Sequence, residues 1–219
     1  MRRLRAGVFL FAMGSLLWGQ AERTVRLDFS NPKLVPGAWT LELHPDGTGH
    51  FRSQRGDAPR EAGEGVEAPD QDLDIQVNAG FAAHVFETAE AVRFFAVKCE
   101  SGDKVAFQGT KHFSYQGPDG KSECSYNYSR DKRIQLLGDQ LEGVAASIVE
   151  GARIERLRQH DRLGLDAEMQ SLTEMLADGR AGEIEVIRAT LESVAGDEAL
   201  MERVRKRARE MLGKAGSRE

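Results

Sequence analysis

The apolar residues of this 219-residue chain change their period once, near Asp131, and that change limits the folds open to it. Upstream, "TVRLDFS", "AWTLEL", "GHFRS", "LDIQVN", "KVAFQG", "KHFSY" and "CSYNYS" tend to alternate apolar with polar residues and are separated by Gly, Pro, Asp and Asn, the pattern of strands and turns. Downstream, Ile134, Leu137, Leu141, Val144 and Ile148 recur at intervals of three and four, continuing with a change of face past Gly151 to Ile154 and Leu157. Strands gathered in one half and helices in the other predict an α+β protein. Residues 22–130 should form a β-rich antiparallel-sheet domain with one short helix, and residues 131–214 an antiparallel helical bundle. The five C-terminal residues, 215–219, read as a disordered tail.

The short helix is expected within "FETAEAVRFFAV", where Ala89, Val92, Phe95 and Ala96 keep helical spacing and lead to Cys99. After the long helix, three shorter ones are expected. Asp166 is the predicted cap of the first, which ends at Gly179; Ile184, Ile187, Leu191 and Val194 stripe the second; Asp197 is the predicted cap of a third carrying Met201, Val204, Ala208 and Met211. Gly138, Gly143 and Gly151 within the long helix each cost about 1 kcal/mol relative to alanine, so they weaken the helix or mark close approach of another element. The stretch 54–72 is acidic, rich in glycine and free of aromatic residues, and such a composition cannot bury enough apolar surface to offset the entropy of ordering. It predicts a mobile loop.

The first 21 residues carry Arg2, Arg3 and Arg5, then an apolar run from Ala6 to Trp18, then the small residues Gly19 and Ala21, the layout of a secretory signal peptide cleaved after Ala21. Losing those three arginines shifts the formal net charge from -5 to -8. An acidic exported chain is a poor partner for nucleic acid, and no transmembrane segment is expected after cleavage. In an oxidising compartment Cys99 and Cys124, the only cysteines, should form a disulfide. Their spacing does not match the C-x-x-C of redox or zinc motifs.

"ELHPDGTGHF" (42–51) contains a type I turn with Gly47 positioned for a left-handed bulge. The expected register pairs Leu41 with Phe51, Glu42 with His50 and His44 with Thr48. Trp39, Leu41, Leu43 and Phe51 then share one face, and Glu42, His44 and His50 the other. Two imidazoles and a carboxylate are a set that zinc accepts, but an open sheet face offers no second layer of groups to orient them, so no cofactor is expected. The second P-D-G, Pro118 to Gly120, joins a strand with Phe113 and Tyr115 to one with Cys124 and Tyr126. A three-residue loop would put those rows on opposite faces, and only a bulge or a longer loop is expected to unite them.

Lys111, His112, Phe113 and Tyr115 are candidates for a sugar- or peptide-binding platform, against the commoner role of strand aromatics as core. Arg203, Arg205, Lys206, Arg207 and Arg209 give the last helix a basic character. Favourable interaction with the helix dipole explains it, and peripheral contact with anionic lipid is the functional alternative. His160 and Asp161 have no recognisable nucleophile beside them, and Asn127-Tyr128-Ser129 fits the glycosylation pattern on a strand expected to be packed. The expected function is therefore a non-enzymatic binding or structural protein of the bacterial-type cell envelope or secreted fraction, its partner a protein or envelope component. The alternative is a hydrolase or metal-assisted enzyme whose site gathers distant residues.

Overall fold

The computed structural model describes residues 23–56 and 69–215. The proposed signal peptide, most of the acidic loop and residues 216–219 lie outside the described residues. Six strands, β1 (Thr24–Ser30), β2 (Ala38–Leu43), β3 (Thr48–Gln54), β4 (Gln71–Gln76), β5 (Thr110–Gly117) and β6 (Gly120–Tyr126), form one antiparallel sheet in the order β4-β3-β2-β1-β5-β6. Helix α1 (Ala79–Ala91) carries the chain from β4 at one edge towards β5 on the far side of β1. The long helix α2 (Lys132–His160) follows, then α3 (Arg162–Asp178), a 3₁₀ turn (Ile184–Ile187), α4 (Arg188–Gly196) and α5 (Glu202–Ala215). The fold is α+β, as the change of period predicts.

The first hairpin has the expected register, with Leu41 opposite Phe51, Glu42 opposite His50, and His44 N donating to Thr48 O at 2.8 Å. Trp39, Leu41, Leu43 and Phe51 are all buried. Fully burying each is worth about 1.5–3 kcal/mol, so a one-residue slip would forfeit on the order of 6–12 kcal/mol while leaving the number of ladder hydrogen bonds nearly unchanged. Side-chain burial sets this register.

The second hairpin corrects the expected loop. Gly117 pairs with Gly120 across a two-residue loop, which places Phe113 opposite Cys124 and Tyr115 opposite Ser122. Phe113, Tyr115, Cys124 and Tyr126 thus share the buried face without a bulge or a longer connection. Cys99 and Cys124 are bonded, with Cα atoms 5.8 Å apart. The predicted strand 104–109 is not one: Asn127 uses its side chain to accept from Gln108 N (2.8 Å) and donate to Ala106 O (3.1 Å), and Val105 and Phe107 stay exposed. Alternation there is unmatched by any core to receive it.

The short helix starts seven residues before its predicted stretch, because Asn78 Oδ1 accepts from Gly80 N at 2.7 Å and caps it. It ends where Arg93, Phe94 and Phe95 take positive φ values of 58°, 52° and 71° in succession. Each left-handed non-glycine residue costs roughly 1–2 kcal/mol, so the surroundings must hold them: Phe94 stacks on Tyr115 (centroids 4.3 Å apart) and Phe95 on Phe113 (4.5 Å). Asp161, not Asp166, caps α3, accepting from Leu163 N (3.1 Å) and Gly164 N (3.0 Å). Asp197 accepts from Ala199 N at 3.0 Å and shapes the turn before α5 instead of capping the helix itself.

Two apolar cores divide inside α2. Ile134 to Val149 join α1 and the inner sheet face, whereas Ile154 and Leu157 join α3, α4 and α5. The change of secondary structure at Asp131 is therefore not where the cores part. Two of the α2 glycines mark close approach: a Cβ would stand 2.1 Å from Tyr126 Oη at Gly138 and 2.4 Å from Ile187 Cγ2 at Gly151, whereas at Gly143 it would make an ordinary contact, 3.4 Å from Gly182 N.

Candidate functional site

A cleft of about 690 Å³ opens where the first turn of α1, the last turns of α3 and α5, and the 181–185 segment meet. Phe81, Leu176, Ile184 and Met211 give it apolar walls; His84, Thr173, Glu183, Glu185 and Lys214 add polar groups. Its shape is fixed by hydrogen bonds outside it. Gly182 N donates to Gly143 O (3.0 Å) and Ser147 Oγ (3.1 Å), Ser147 Oγ donates to Gly182 O, and Ala181 N donates to Met175 O (3.1 Å).

The polar groups of the cleft are themselves anchored. Glu183 Oε2 accepts from Asn78 N at 3.3 Å, at the positive end of the α1 dipole. Arg188 binds Glu185 at 2.5 Å and holds its carboxyl below the usual range. His84 Nε2 lies 3.2 Å from Gln140 Oε1, and the Thr173 hydroxyl donates to Met169 O at 2.8 Å. A preformed apolar recess with a few fixed polar groups suits binding of an amphipathic ligand or side chain. It gathers residues from 78–84, 173–185 and 211–214, and no local motif marks it in the sequence.

Glu42, His44 and His50 share the open sheet face, as expected, but His50 is engaged from the other side. Its Nδ1 lies 2.9 Å from Asp74 Oδ1 and its Nε2 2.8 Å from Asp72 Oδ1, both on β4, and the Asp74 bond above all raises its pKa. His44 Nδ1 faces Thr24 Oγ1 at 3.4 Å. Among the described residues no group of three His, Cys, Asp or Glu side chains is placed to hold a metal ion.

The proposed platform is split by strand alternation. Lys111, Phe113 and Tyr115 are buried beneath the helices, while His112 lies on the open face with Nδ1 2.8 Å from Ser125 Oγ. Lys111 Nζ is 2.7 Å from Glu142 Oε1, and burial lowers its pKa. The four residues therefore form no common surface.

The five basic residues between Arg203 and Arg209 of α5 are all paired with acids. Arg203 meets Asp166 at 2.8 Å and Arg207 bonds the same carboxylate; Arg205 and Arg209 each meet Glu202 at 2.5 Å; Lys206 lies 3.8 Å from Glu210. Asp166 is spent on joining α3 to α5. Three carboxylates thus face five cations, which reduces the positive charge of this helix without cancelling it. No described helix is long and apolar enough to cross a membrane.

A buried group that the sequence reading missed lies between α2 and α3. Glu150, 7% exposed, receives Arg153 Nη1 at 3.0 Å, and the same nitrogen reaches Glu168 at 3.1 Å. Burial, reinforced by Glu168, pushes the Glu150 carboxyl up to about 8. Its only sequence signal is the change of apolar face near Gly151. A comparison with protein-family models finds no match for this chain, and none of the curated proteins compared with it matches either.

Proposed function

We propose that this chain is an exported, non-catalytic binding protein of the cell envelope or secreted fraction, and that the cleft between α1, α3 and α5 is its binding site. The observation that carries the reading is the cleft itself: preformed, apolar-walled, and fixed by the Gly182–Gly143 and Gly182–Ser147 bonds. The N-terminal sequence pattern and the Cys99–Cys124 bond support export.

The test is native mass spectrometry of the protein recovered from the exported fraction, beside an Ala177→Trp variant that fills the cleft. The reading expects a signal-cleaved chain with added mass, lost in the variant while its melting temperature stays close to that of the parent. Added mass that survives Ala177→Trp would remove the cleft as the site.

A second reading, a hydrolase, draws on Ser125 Oγ beside His112 Nδ1, with Glu123 Oε2 3.6 Å from His112 Nε2. That last separation exceeds a hydrogen bond, and the flat open face does not exclude water. Covalent labelling of Ser125 by a fluorophosphonate, lost in His112→Ala, would favour this reading over binding alone.

A further inference from the structure

Arg23, at the start of the described chain, is held in an aromatic enclosure. Its guanidinium carbon lies 5.5 Å from the ring centroid of Phe86, 5.7 Å from that of Phe94 and 6.0 Å from that of Tyr115. Its Nε donates to Tyr115 Oη at 3.2 Å, and that hydroxyl donates to Asp119 Oδ2 at 2.9 Å. Three ring faces within about 6 Å of a cation attract it through their quadrupoles, and here a carboxylate stands behind the hydroxyl to balance the charge.

The fold departs from ordinary backbone geometry to build this enclosure. The left-handed run Arg93–Phe95 sends Phe95 into the core and Phe94 onto Tyr115, so that α1, the Arg93–Phe95 turn that follows it and β5 each supply one wall. Backbone strain of this kind persists where surroundings over-determine it, and it points to a specific arrangement at that place. Arg23 precedes Thr24, the first residue of β1 with a ladder partner, so the guanidinium can leave without opening the β1–β5 ladder.

We propose that Phe86, Phe94 and Tyr115 form a guanidinium-recognition site, filled here by the chain's own Arg23 and able to take an arginine side chain from another polypeptide when Arg23 is withdrawn. The chemistry selects guanidinium over ammonium: a planar, weakly hydrated cation stacks on rings while its edge donates to Tyr115 Oη, whereas an alkylammonium is a strongly hydrated point charge. None of the three rings lines the cleft described above, so the two readings stand or fall separately.

Arg23→Ala opens the site, and ethylguanidinium, ethylammonium and a blocked Gly-Arg-Gly tripeptide amide are the probes. The expected result is a lowered Tm for Arg23→Ala that ethylguanidinium restores saturably, with ethylammonium about tenfold less effective and the parent protein unaffected over the same range. Adding Phe94→Leu, which keeps apolar bulk but removes the ring and guards against an unfolded Phe94→Ala, should abolish the rescue. Equal response of parent and variant, or rescue that survives Phe94→Leu, would overturn the site. Rescue by ethylguanidinium but not by the tripeptide would overturn its use by a second polypeptide.

Discussion

Glu150 is the residue whose environment departs furthest from what its type prefers, an acid buried between helices and facing Glu168 as well as Arg153. Its folded-state pKa, about 8, lies above the 4.5 of an unperturbed glutamate, so the folded chain holds a proton that the unfolded chain releases. Stability from this group is thus full below about pH 4.5 and falls as the pH rises through 8. Glu150→Gln keeps an acceptor for Arg153 and removes the titration. It should gain on the parent in stability as the pH rises from 5 to 8, with the gap closing again towards pH 5. Urea midpoints at three pH values measure this, and parallel profiles for the two proteins would refute it. Lys111 shows the opposite accommodation, a cation kept under the sheet by Glu142 and by the faces of Tyr126 (5.7 Å) and Phe29 (5.9 Å). Neither residue's burial is visible from its immediate neighbours in sequence, because a partner from another element makes it tolerable.

Among the elements, α2 owes its packing to its missing side chains. At Gly138 a methyl group would gain about 1 kcal/mol of helix propensity, but it would stand 2.1 Å from Tyr126 Oη, and overpacking costs about 1–3 kcal/mol. Gly138→Ala should therefore destabilise the protein in a denaturant titration. Gly213 in α5 has nothing within 4 Å of an added Cβ, so Gly213→Ala should stabilise by roughly 0.5–1 kcal/mol. Opposite signs for these two substitutions test whether the glycines of α2 are there for contact. The two P-D-G hairpins carry a related lesson. Inward residues Leu41 and Phe51 share parity, which requires an odd loop, and Phe113 and Cys124 differ in parity, which requires an even one. The second register was legible from the core positions alone, and the P-D-G tripeptide misled because it accommodates both loops. The stretch 104–109 shows the converse, a strand-like pattern whose neighbouring edge is met by the single side chain of Asn127.

On the scale of the whole molecule, one helix ties the two cores together and one disulfide braces the first of them. Helix α2 runs 29 residues, about 44 Å, and contributes to both cores, so the cores share an element instead of being joined by a linker. The Cys99–Cys124 bond spans 25 residues, which predicts a loss of roughly 3–4 kcal/mol on reduction; equal urea stability with and without reductant would contradict that. By itself the sequence determined the α+β class, the first hairpin's register, the disulfide pair and the course of α2, because each follows from local periodicity, turn chemistry or the count of cysteines. Tertiary structure alone decided that the 104–109 stretch stays out of the sheet, why Gly138 and Gly151 lie in a helix, where Asp166 and the basic residues of α5 find their partners, and how the cleft and the arginine cage assemble. Those features join groups far apart in sequence, and only the packing that brings them together settles whether a charge is paired or a ring is exposed.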